Sequence, residues 1–83
     1  GYASVATRTV GGKTFYQRAG TWIDADAEAP ESASSRSVSV SALSAEYFEL
    51  LSKHPGLARY FALGSEVTVL HRGTIYKVSA KID

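Results

Sequence analysis

The sequence predicts an α+β fold: a small curved antiparallel sheet, or a partly open barrel, of four to five strands. A helix–kink–helix insert lies between two hairpins, in the order β-β-β-α-α-β-β. Three observations predict it. Only Ser44–Gly64 has helical periodicity. On either side of it, Lys13–Ile23 and Ser65–Ala80 alternate in polarity and reverse at glycine-containing turns. Between the first hairpin and the helix, Ser37–Leu43 alternates valine with serine.

Taken in order, Ala6–Val10 reads as a short strand, ended by the turn pair Gly11-Gly12. Lys13–Ile23 is a hairpin that turns at Arg18-Ala19-Gly20. Phe15 and Tyr16 are adjacent and must face opposite ways, as must Trp22 and Ile23. Phe15 and Trp22 are expected to be buried, although alternation alone does not assign the core face. Residues 24–36 start acidic, become rich in serine and alanine, and hold no large apolar side chain. Such a segment has little burial to offset its ordering entropy and is expected to be a flexible loop. In Ser37–Leu43, Val38, Val40 and Ala42 share a face and the serines take the other, the pattern of a half-solvated edge strand.

Ser44 suits a helix N-cap, and Leu43 and Phe48 have the spacing of a hydrophobic staple around it. Tyr47, Phe48, Leu50 and Leu51 form a broad apolar stripe expected to fill the core. Pro55 disfavours helical geometry at His54 and suits the first position of a second helix. Leu57, Tyr60 and Phe61 share a face of that helix, and Gly64 is expected to end it in a left-handed conformation. In the second hairpin, Val67, Val69 and His71 oppose Thr68 and Leu70, the turn lies at Arg72-Gly73-Thr74, and residues 81–83 are expected to fray.

Composition narrows the function. The 83 residues amount to one small domain, 1–83. There is no methionine and the chain begins at Gly1, which is expected of a domain excised from a larger protein or of a processed product. The lack of cysteine excludes disulfides and thiolate metal sites. A net charge of +1 gives no broad field for nucleic acid or an acidic membrane. No apolar run approaches the roughly 18 residues of a membrane span, so membrane insertion is not expected.

One resemblance covers the chain from Gly11 onward. Lys13-Thr14-Phe15, Gly20, Trp22 and Asp24 are followed by Ser44, Tyr47, Phe48, Leu50 or Leu51, Pro55, Leu57, Leu63-Gly64 and Gly73. This series resembles the C-terminal module of bacterial proteins that carry an inter-alpha-trypsin-inhibitor-type (VIT) domain and a von Willebrand factor type A domain. The resemblance implies an exported or cell-envelope protein that works through adhesion and protein contact. The Asp-x-Ser-x-Ser adhesion motif of a von Willebrand type A domain is absent from this sequence. The matching positions are core, cap and turn residues, so the resemblance implies a fold and no site.

Candidate chemistry is sparse. His54 and His71 have no local ligand spacing and read as a helix-end residue and a hairpin residue. No Gly-x-Ser-x-Gly signature marks a nucleophilic serine. Asp24, Asp26 and Glu28 offer too few oxygens for a calcium loop and lack its glycine, so they read as a solvated acidic stretch. Arg18, Arg72, Lys13 and Lys77 with Tyr16 or Tyr76 would suit single-stranded nucleic acid on a small barrel. An exposed Trp22 or tyrosine would suit carbohydrate. No catalytic residue, metal or cofactor is therefore assigned. The leading expectation is a non-catalytic accessory or interaction module whose partners are neighbouring domains or another protein. The alternative is the nucleic-acid-binding module.

Overall fold

The computed structural model describes residues 6–80. Its α+β fold has six strands: β1 (Thr7–Val10), β2 (Lys13–Arg18), β3 (Thr21–Asp24), β4 (Arg36–Ser41), β5 (Val67–His71) and β6 (Thr74–Ser79). Between β4 and β5 lie α1 (Ala45–Lys53), a 3-10 turn over Pro55–Leu57, and α2 (Ala58–Phe61). The expected element types and the two hairpins flanking a kinked helical insert are present. The expected fraying of residues 81–83 lies outside the described residues. No helix among those described is long and apolar enough to cross a membrane.

The sheet is larger than the sequence suggested, and it is mixed and open. Its order is β1-β2-β3-β5-β6-β4. β1–β2, β2–β3 and β5–β6 are antiparallel, whereas β3–β5 and β4–β6 are parallel. The reason is topological. The β5–β6 hairpin inserts between β3 and β4, which run in opposite directions. Its two strands also run in opposite directions, so both outer seams become parallel. β1 and β4 are left as separate edges, and no barrel closes.

Three two-residue turns join the antiparallel pairs, with positive φ at Gly11-Gly12, Ala19-Gly20 and Arg72-Gly73. That sign pattern belongs to the type I′ turn, whose twist matches that of the flanking strands. Gly11 has a second constraint. A β-carbon there would stand 2.8 Å from both the Arg59 Cδ and the Tyr60 hydroxyl.

Register places the core. Phe15 pairs with Asp24 and Gln17 with Trp22, so Phe15 and Trp22 share one face. Val67 and Val69, Tyr76 and Val78, and Val38 and Val40 complete that face on β5, β6 and β4. Leu57, Tyr60 and Phe61 from the helical insert join Phe15, Trp22 and these β5 and β6 residues in one buried cluster. Tyr60 lies 5.6 Å from Phe15 between ring centroids, and Tyr47 stacks on Phe61 at 5.2 Å.

Ser44 is the N-cap of α1: its Oγ accepts the Tyr47 N–H at 3.2 Å. Replacing Ser44 with alanine is expected to cost about 1 kcal/mol, measurable by urea denaturation. His54 ends α1 with φ −131°, and Pro55 opens the following turn, as the sequence implied.

Several expectations need correction. Phe48 is not in the core; it is 53% exposed. Tyr47, Leu50, Leu51 and His54 follow the i, i+3, i+4, i+7 spacing of a single stripe, and Phe48 stands about 100° away from Tyr47 around the helix. Gly64 is not left-handed. α2 ends at Phe61, three residues earlier, and Gly64 instead lies against the Trp22 ring. The segment 24–36 is partly structured. Asp24 belongs to β3 and Arg36 to β4, while Ala25–Glu28 and Pro30–Ser32 form 3-10 turns. The buried Ser32 donates its hydroxyl to the Asp26 carbonyl at 2.8 Å.

Candidate interaction surface

Asp24 departs furthest from its sequence reading. The expected solvated acid is completely buried. Its Oδ1 accepts the Asp26 N–H and its Oδ2 the Leu70 N–H, both at 2.9 Å. The Lys13 ammonium sits 3.0 Å from Oδ2 and also bonds Asp26 at 3.1 Å. Burial works against the charged Lys13, but its hydrogen bonds to Asp24 and Asp26 outweigh that, and its pKa is raised. The carboxylate thus ties β2, β3, β5 and the turn after β3 together. A signal for it was present. With a two-residue turn at Ala19-Gly20, counting outward pairs Asp24 with Phe15, on the face of Trp22.

Glu28 does not join Asp24 and Asp26 around a common point. It accepts the Tyr16 hydroxyl and lies 3.5 Å from Arg18. Glu28 holds the Tyr16 phenol above its usual range, the hydrogen bond being the main cause. Arg18 also lies over the Tyr16 ring at 5.2 Å.

The basic residues suggested for nucleic acid are not gathered. β3 and β5 are parallel, so the turn that opens β3 and the turn that closes β5 lie at opposite ends of the sheet. Arg18 is at one end and Arg72 at the other. Tyr76 and Trp22 are buried, which also removes Trp22 as an exposed carbohydrate platform. The two histidines, in contrast, do meet. His54 and His71 have ring centroids 6.1 Å apart, with Tyr76 6.0 Å from His54.

The exposed apolar surface lies elsewhere, where β4 leads into α1. β4 is an edge strand, paired with β6 in an unbroken register from Arg36 to Ser41. Apart from Arg36 at its start, it carries no charged residue, and it has no proline or bulge, the usual guards of a free edge. After it the chain turns, with the Ser44 N–H donating to the Ser41 carbonyl at 3.2 Å. Leu43 occupies that turn with φ +63° and is 71% exposed. A turn position with positive φ favours glycine or asparagine. Leu43 and Phe48 hold the staple positions, yet most of Leu43 and about half of Phe48 remain in water. The exposed Glu46 and Glu49 flank Phe48 in the sequence of α1. The sequence located the edge strand, but it could not show that the residues read as a staple face outward.

In comparisons with protein-family models, curated proteins and solved structures, the chain matches none.

Proposed function

We propose that this chain is a non-catalytic protein-interaction module. It takes an extended segment of another protein, or of a neighbouring domain of its own polypeptide, as an added strand along β4. Leu43 carries this reading. It combines two costs, an apolar side chain in water and a β-carbon in left-handed backbone, which are expected where function rather than stability sets the residue. Strand addition supplies affinity through main-chain hydrogen bonds and specificity through side-chain pockets. Leu43 and Phe48 would contact apolar side chains of the added strand. Glu46 and Glu49 favour a basic residue at that end of it, and Arg36 favours an acidic residue at the other.

Selection from a displayed random-peptide library, followed by NMR titration of the enriched peptide, tests the proposal. Extended sequences with alternating apolar residues are expected, with amide shifts concentrated in residues 36–48. Leu43→Gly separates binding from folding. It relieves left-handed strain of roughly 1 kcal/mol, so the domain should keep or gain stability while losing peptide affinity. Enriched peptides that bind away from β4, or unchanged affinity in Leu43→Gly, would count against the assignment.

A further inference from the structure

His54 and His71 lie 17 positions apart in a chain with no other histidine, yet their rings meet edge to face. His54 is the kink residue. Its N–H donates to Leu50 and its carbonyl accepts from Leu57, so it belongs to both halves of the helical insert. His71 ends β5 on the core face, and Tyr76 of β6 lies 6.5 Å from it. Gly56 of the 3-10 turn closes over the same ring: a β-carbon there would stand 3.4 Å from His71 Cε1. The two imidazoles therefore join the kinked insert to the second hairpin.

The charges around this contact are mostly positive. Arg72 follows His71 in the turn, Lys53 precedes His54, and Lys13 lies close enough on β2 to oppose a charge on His71. The acids of β3 and the turn beyond it, Asp24 and Asp26, are bonded to Lys13. Tyr76 contributes a ring. No carboxylate is within salt-bridge distance of either imidazole among the described residues.

We infer that the His54–His71 contact is an acid-sensitive latch, closed when His71 is neutral and weakened when it is protonated, which loosens the kink at His54 against the β5–β6 hairpin. Burial first, and then Arg72, His54 and Lys13, lower the pKa of His71 below the ordinary 6.5. The sign follows from linkage. Above about pH 6.5 the histidine is neutral in both folded and unfolded chains, and the latch contributes fully. As pH falls through that value the unfolded chain takes up its proton first. Stability is lost until the lowered folded value is passed, and the loss then levels off.

NMR titration of the two imidazoles, with amide exchange at His54 and Leu57, tests the latch in the intact chain. In the wild type His71 is expected to titrate below the ordinary 6.5, and protection of both amides should fall between pH 7 and pH 5 after correction for intrinsic exchange. His54→Gln should raise the His71 midpoint, and His71→Gln should reduce the acid-induced loss of protection at His54 and Leu57 by at least about threefold. Arg72→Gln, in an exposed turn, gives the same readout if a histidine variant fails to fold: it too should raise the His71 midpoint. Midpoints that do not respond to the neighbouring substitutions, or equal acid-induced losses in wild type and His71→Gln, would overturn the proposal.

Discussion

Phe61→Ala is expected to destabilise the domain by about 3–5 kcal/mol, whereas Phe48→Ala should change stability by less than about 1 kcal/mol. The sequence stripe alone would give both substitutions the large value. Phe61 is only 2% exposed, stacks on Tyr47, and packs in the cluster that joins the helical insert to the sheet. Truncation removes its apolar area and leaves a cavity that neighbouring β strands cannot readily fill. Phe48 is half exposed, and its one close aromatic neighbour among the described residues is the adjacent Tyr47, at 5.2 Å. A domain of this length has roughly 4–12 kcal/mol of stability in total, so Phe61→Ala should remove about a quarter of it or more. Urea denaturation of both variants gives the answer. Equal losses would mean that α1 is rotated from the orientation described above.

Asp24→Ala should cost about 2–6 kcal/mol, because it strands the Asp26 and Leu70 N–H donors, at about 1–3 kcal/mol each, and removes the contact with the partly exposed Lys13. Asp24→Asn is the sharper substitution. It keeps the shape and one carbonyl oxygen, but the carboxylate accepts from Asp26 at one oxygen and from Leu70 at the other. An amide has a single acceptor, so one of those N–H groups would face an NH2 group. Leaving that donor unsatisfied should cost about 1–3 kcal/mol before the weakened contact with Lys13 is added. Thermal unfolding of Asp24→Asn, Lys13→Ala and the double variant resolves the two contributions. If the losses add independently, Lys13 and Asp24 are not acting as a pair. A wild-type melting temperature in Asp24→Asn would show that the backbone bonds are not made.

The sequence was most informative where local chemistry sets local geometry. The glycine turns marked both hairpins, Ser44 marked the start of α1, and Pro55 marked the kink. Alternation placed Val67 with Val69 and Val38 with Val40. What escaped it depends on partners distant in the chain. Nothing near Asp24 indicates that the Leu70 amide will meet it. The parallel seams follow from where the β5–β6 hairpin inserts, which no local pattern records. Phe48 shows a different limit, because a broad apolar stripe permits several orientations and only the sheet beneath selects one. The meeting of His54 and His71 is the same kind of event: two elements placed by packing bring together residues whose spacing carries no motif. Leu43 was read as a staple residue, and its exposure became visible only with the turn geometry.

The inserted hairpin has one more consequence. The β1–β2–β3 meander and β4 share no hydrogen-bonded seam, and each joins the sheet only through β5–β6. The intact sheet has two free edges, β1 and β4. If the hairpin undocks, each parallel seam that opens bares two more rows of unpaired backbone groups, on β3 and β5 at one side and on β4 and β6 at the other. Unpaired strands of this kind recruit further chains. Loosening the hairpin therefore endangers solubility as well as stability, and the contacts that hold it in place, from Asp24 on one side to Val40 on the other, also protect the domain against aggregation.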